Sequence, residues 1–284
     1  MRQFLIETLC FLSAAWLSAW LHSANAQDAK PVADRTEQLK LPPRPVDSIT
    51  GSQFYRKIET VLPRDREAAI VEEITHGNIP AFLRSLKAIP LEATDDQGIK
   101  HVATCYVMRD YLAVGTDNDF FRVPMMPVAA QKIADAADAS LITVKLSDEI
   151  FRHADIKLEP RPLTKDRDAT ATFFQHHQII EEQRKAKELG LLVVGIKKDV
   201  VLTNRLKEKP HRVAIYGWHY PDGRPIQPLY TGHTESHVDY SHGIRLVSRH
   251  MLVDGQPMEF EKVLKSPTLC ALLSNEGPVD AGYK

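Results

Sequence analysis

Cysteine is nearly absent from this chain. Of three in 284 residues, Cys10 falls in the N-terminal apolar run, which leaves Cys105 and Cys270 in the body of the protein. That excludes a disulfide-dense small scaffold and a four-cysteine metal cluster. Two readings of the remaining pair stay open: one disulfide tying a central strand to the C-terminal segment, or two separate buried thiols. Cys105 sits inside the apolar run HVATCYVM, which reads as a strand interior. A helix N-terminus would lower a thiol pKa and make a nucleophile; this position does not.

Positive charge is not in excess either. Thirty-six Lys and Arg stand against 37 Asp and Glu, for a net charge of -1. This argues against nucleic acid or an anionic membrane surface as partner. The sequence has no glycine-rich phosphate loop, which counts against a doubly wound nucleotide-binding fold, and no His-Glu-x-x-His, the helical zinc-protease motif. Beyond residue 26, no apolar run approaches the roughly 20 residues of a membrane span. What remains is a chain that is 43% hydrophobic, enough for one sizeable core.

The N-terminus carries the clearest signal. Arg2, an apolar run from about Leu9 to Leu21, and the small-x-small end Ala24-Asn25-Ala26 follow the pattern of a secretory signal peptide. Cleavage is expected after Ala26, giving a secreted or periplasmic protein with no membrane span. Residues 27–50 are polar and proline-rich and read as a flexible or extended lead.

Residues 51–98 read as a helical segment. SQFYRKIETVL begins at Ser52 as a cap, DREAAIVEEITHGN at Asp65, and IPAFLRSLKAI makes a third short helix with Pro80 near its start. From residue 99 to 284 strands and helices come in blocks. IKHVATCYVM, YLAVG and FFRVPM are short strands in a meander, with Asp117 and Asp119 in a hairpin turn. PVAAQKIADAADA and SDEIFRHAD are helices, the second capped by Ser147. In ATATFFQHHQIIEEQRKAKELG, the longest helix, Phe173, His177, Ile180 and Arg184 share one face. The adjacent His176 and His177 point about 100° apart and do not face one metal together. Val253–Gln256 makes a hairpin turn, and SPTLCALLSNEG ends the chain as a short helix. Blocks rather than strict alternation predict an α+β fold: one main domain with a mostly antiparallel sheet and helices packed on it.

The candidate site lies in YTGHTESHVDYSHGIRLV, residues 230–247. Six of the twelve histidines (His211, His219, His233, His237, His242 and His250) fall within forty residues. RVAIYGWH alternates as a strand, so His219 ends it where loops project. His219, His233, His237, Asp239 and His242 are expected to gather at one end of a sheet. Histidine exchanges protons near neutral pH, and a neighbouring carboxylate fixes its tautomer. His237, Asp239 and His242 are therefore the catalytic candidates. Three imidazoles, or two and a carboxylate, also suit a divalent metal such as zinc with an open position. His219, His233 and His242 are the metal candidates. Trp218, Tyr220, Tyr230 and Tyr240 are candidates for substrate binding, the first three by stacking on sugar rings. GIKKDVVLT, read as a strand, sets Lys198 on the opposite face from Lys197 and Asp199, and Lys198 or Asp199 reaches the histidine loop if the two strands are neighbours. Otherwise it is an edge strand with solvated lysines.

Export plus a histidine-rich loop beside aromatics points to a hydrolase of a cell-envelope polymer or extracellular polysaccharide. Its ligand would be a polysaccharide, peptidoglycan or a peptide. A non-catalytic glycan- or peptide-binding protein of the envelope is the alternative, and a ligand-free structural protein the third. Bound metal and a bell-shaped rate profile separate the first from the others.

Overall fold

The computed structural model describes residues 37–283; the expected signal segment 1–26 and the first part of the lead lie outside them. Two helices open the described chain. The first, α1 (Gly51–Ile58), starts at Thr50, which forms a capping box with Gln53. The second, α2 (Pro63–Thr75), starts on Pro63, whose missing N–H costs nothing in a first turn. Ser52 and Asp65, expected as caps, lie inside these helices; Ser52 instead donates to Asp119, 67 residues away.

The expected third helix is a correction. Only a 3-10 turn forms at Ala81–Leu83, and β1 (Lys87–Thr94) follows it, pairing along its whole length with β2 (Lys100–Val107). Ile89 and Leu91 are buried while Pro90 between them is exposed, a period of two. A proline fits there because β1 pairs with β2 alone.

Then come β3 (Ala113–Gly115), β4 (Phe120–Arg122), α3 (Pro127–Ala136), β5 (Ala139–Leu141), α4 (Val144–Arg152), β6 (Ile156–Lys157), α5 (Thr170–Arg184), β7 (Val193–Val194), β8 (Lys198–Val200) and α6 (Arg205–Glu208). The chain ends with β9 (Ile215–His219), β10 (Pro225–Tyr230), β11 (His242–Gly243), β12 (Leu246–Ser248), β13 (His250–Val253), β14 (Gln256–Glu259) and α7 (Phe260–Lys265). Thr143, not Ser147, caps α4. The tail helix is a 3-10 turn at Cys270–Leu272.

The fold is α+β and mostly antiparallel. A six-stranded sheet runs β14-β13-β2-β12-β5, with β1 on β2; a four-stranded sheet runs β10-β9-β8-β11. The two-residue turn Asp254-Gly255 joins β13 to β14 with both residues at positive φ, as a type I′ hairpin requires. Asp119 sits in the β3–β4 hairpin turn. Thr36–Lys284 forms one compact unit. The described part of the lead is extended and docked on that unit: Leu39 donates to Arg84 O, Lys40 to Ala137 O, and Leu39 and Leu41 are buried. No described helix is long and apolar enough to cross a membrane.

Two features carry the site. One is the passage from β11 into β12, which links the small sheet to the large one through Ile244 and Arg245. Arg245 is buried and donates to Met108 O and Val193 O, tying both sides of the junction. The other is α5, whose Phe173, His177, Ile180 and Arg184 are all buried as their spacing predicts. Arg122 of β4 grips Asp110 through two hydrogen bonds, of 2.9 and 2.6 Å, and Glu181 of α5 through one of 2.6 Å. Both Cys105 and Cys270 are buried free thiols, so the disulfide reading gives way to two separate thiols.

Candidate functional site

Local sequence chemistry builds the centre. Asp239 and Ser241 form an Asx turn, the Ser241 N–H donating to Asp239 Oδ1 at 2.8 Å and its hydroxyl donating to the same oxygen. The His242 N–H donates to Asp239 O at 3.1 Å, which completes the turn into β11. Arg167, from the segment before α5, donates to Asp239 Oδ2 at 2.6 Å. Both carboxylate oxygens are thus fixed in place; Oδ1 accepts two hydrogen bonds, and Oδ2 accepts one and retains a lone pair for another ligand.

His237, Asp239 and His242 come together. Each offers a ligand atom, and these atoms lie within 4.8 Å of one another, so the group could hold a metal ion. His242 has no measurable exposure, and neither of its ring nitrogens has a hydrogen-bond partner. Buried imidazoles normally satisfy at least one nitrogen, because an unmade hydrogen bond in the interior costs about 1–3 kcal/mol. Burial, against the pull of Asp239, pushes the His242 pKa down to about 3, so its ring is neutral at ambient pH and presents a lone pair. Burial raises the Asp239 carboxyl, but His242, the two Ser241 hydrogen bonds and Lys198 outweigh it and hold the group well below the usual carboxylate range. The set is a neutral imidazole, a carboxylate oriented by Ser241 and Arg167, and a half-exposed second imidazole. Outer hydrogen bonds of this kind are what orient metal-ligating carboxylates.

His233 stands one ring outside this group. It stacks on His237 with centroids 4.0 Å apart, and Tyr230 meets it edge-on at 5.1 Å. His219, the other expected ligand, is elsewhere. Its Nε2 lies 2.9 Å from Asp148 Oδ1, and its ring packs on Phe151 at 4.9 Å. The cause is local. Gly217 and Trp218 both have positive φ, at 90° and 54°, so β9 leaves the extended geometry that would have carried His219 to the loop. His219, His233 and His242 are therefore not brought together as the expected metal set; the group that could hold an ion is His237, Asp239 and His242.

GIKKDVVLT is no edge strand: β8 lies between β9 and β11. Lys198 pairs in register with Gly217 and with His242, which sets it on the His242 face. Asp199 points to the other face, where it accepts from Ser147 at 2.5 Å, and burial raises its carboxyl. It is not part of the site. Lys197 is fully buried and donates to Tyr240 O, with His176 Nδ1 at 3.1 Å, so it fastens the loop to α5.

The aromatic candidates divide. Tyr220 and Tyr230 are 40% and 43% exposed and can meet a ligand. Trp218 is 2% exposed, its indole N–H donating to Gly195 O, so it does not stack on a sugar. Tyr240 is also buried, and its hydroxyl is taken up by the backbone of Leu163, as acceptor from N and donor to O. Sequence reasoning missed Arg167 and Ser241. The Asp-x-Ser spacing signals the Asx turn; nothing in TKDRDAT marks Arg167.

No family model, no curated protein and no solved structure matches this chain.

Proposed function

We propose that His237, Asp239 and His242 bind one divalent metal, zinc by their chemistry, and that the protein is a metal-assisted hydrolase of an extracellular or envelope polymer. Two imidazoles and one carboxylate form a nitrogen- and oxygen-donor set that suits zinc and leaves a coordination position open. The observation that carries this is His242: a neutral imidazole sealed from solvent, both nitrogens without partners, beside a carboxylate and a second imidazole. A zinc ion there supplies a Lewis acid and lowers the pKa of a water at its open position. Half-exposed His237 and His233 mark the side from which a substrate approaches. The signal-like N-terminus supports export, and with it a polysaccharide, peptidoglycan or peptide substrate.

Exposed Tyr220 and Tyr230 also support the second reading, a glycan- or peptide-binding protein without turnover. Elemental analysis of protein purified without a His tag decides, with His242→Ala beside it. One zinc per chain, absent from the variant, supports the metal site; hydrolysis of glycan or muropeptide substrates that stops with chelator and returns with zinc supports the enzyme. No metal in either protein would remove the hydrolase reading.

A further inference from the structure

Lys198 has no business in a purely structural sheet face. The residue is 7% exposed, and its ammonium, which keeps some contact with solvent, makes no hydrogen bond and no ion pair within 4.0 Å among the described residues. It lies 6.0 Å from the centroid of the Trp218 ring and within electrostatic reach of Asp239. A lysine this enclosed normally spends its donors on a hydrogen bond or a close ion pair. Lys197, the adjacent residue, shows the paired arrangement: fully buried, it finds Tyr240 O and His176.

The direction of Lys198 is set by pairing. As the register partner of His242 in a parallel pair, it shares the face on which His242 meets Asp239. Arg167 donates to Asp239 Oδ2, its side chain 46% exposed. Two cations therefore flank a group that contains one carboxylate, and a divalent ion would add further positive charge. Such a site repels cationic substrates and attracts anionic ones. Arg167 spends an N–H on Asp239, whereas Lys198 spends none, and its three N–H groups form a compact point charge suited to carboxylate or phosphate oxygens.

We infer that Lys198 is the anion-binding residue of this site, and that the substrate presents a carboxylate or a phosphate to it beside the bond cleaved at the metal. This rests on the metal-site reading above and narrows the substrate to anionic polymers or their fragments: a peptide bearing a free carboxylate, or a phosphodiester.

The test measures binding of inorganic phosphate and of N-acetylalanine, separately, to the full chain with zinc and after chelation. Wild type, Lys198→Met and Lys198→Arg are compared, with metal content measured in each. Zinc-loaded wild type binds at least one probe, phosphate or carboxylate according to the substrate's anion. Lys198→Met loses about tenfold or more of that affinity, as expected for a charge-assisted hydrogen bond, with metal content unchanged. Lys198→Arg recovers part of it. Equal binding by wild type and Lys198→Met, or binding of neither probe by wild type, overturns the inference. A wild type that binds no zinc but still needs Lys198 for anion binding overturns the metal reading and keeps this one. Should Lys198→Met fail to fold, acetic anhydride labelling of wild type decides: phosphate or N-acetylalanine must slow modification of Lys198, and no protection by either sinks the idea.

Discussion

Lys198 and His242 are register partners across the parallel pairing of β8 and β11, so the unpaired cation and the unpaired imidazole are held by the same backbone ladder. A metal ion bound at His242 would therefore stabilise the strand pairing as well as the loop. Ligand binding to the folded state adds about 2.7 kcal/mol at a hundredfold excess over Kd, or about 5–10 °C in Tm for a domain of this size. Zinc is expected to raise Tm by that order and chelator to reverse it. His242→Ala, folded but without the ring, responds to neither. A zinc shift of equal size in His242→Ala would place the ion elsewhere.

Gly243, one residue on, is where β11 presses against the core. A Cβ there would lie 2.5 Å from Tyr111 Cδ1 and 2.6 Å from Lys197 Cβ, both fixed by burial. Gly243→Ala is expected to cost about 1–3 kcal/mol, the scale of overpacking, and to weaken zinc binding by moving His242. Gly282→Ala is the control, since its added Cβ meets only Gln131 Oε1 at 3.9 Å. Chemical denaturation of the two variants checks this; equal midpoints would show that the close approach carries no constraint.

How far the sequence showed all this depends on how local each signal is. The Asp254-Gly255 hairpin, the buried face of α5 and the start of α3 on Pro127 are set by spacing within a few residues, and each is legible. The clustering of His237, Asp239 and His242 is legible for the same reason: six residues and one Asx turn hold it. His219 was misplaced because alternation assumes an extended strand, and positive φ at Gly217 and Trp218 breaks it. Trp218 was read as exposed because strand alternation does not show what covers a face; here its indole is sealed against Gly195. β1 looked helical because Leu83, Leu86 and Ile89 recur at three-residue steps, while its strand pairing depends on β2. Alternation alone sets Lys198 and Asp199 on opposite faces, but which of the two meets His242 depends on the neighbours of β8. Arg167 reaches Asp239 across 72 residues, a distance no motif spans.

The two body cysteines make a cleaner test of the core than of the site. Cys105 is fully buried in β2, where burial pushes its thiol far up, and burial also raises Cys270. Neither is bridged. Ellman's reagent is expected to leave both thiols untouched in native protein and to titrate both in denaturant, and reducing agent should not move Tm. A fall in Tm on reduction would show a bridge that this packing does not contain.

Glu67 gives a pH dependence independent of the metal. It lies on α2, where Oε2 accepts the Met126 N–H at 2.7 Å and Arg66 Nε is 3.7 Å from Oε1. Burial outweighs both and pushes its pKa from 4.5 up to about 7. The folded state therefore holds a proton between those values that the unfolded state has released. Stability from this group is fully present below pH 4.5, declines as pH rises, and is lost above pH 7. Glu67→Gln keeps an acceptor for Met126 and removes the titration. It is expected to match wild type near pH 4.5 and to exceed it at pH 8 by about 3 kcal/mol, the linkage value of such a shift. Urea denaturation of both proteins at the two pH values measures the difference. A gap that does not widen from pH 4.5 to pH 8 would mean that Glu67 titrates normally, and that Arg66 pairs with it strongly enough to offset burial.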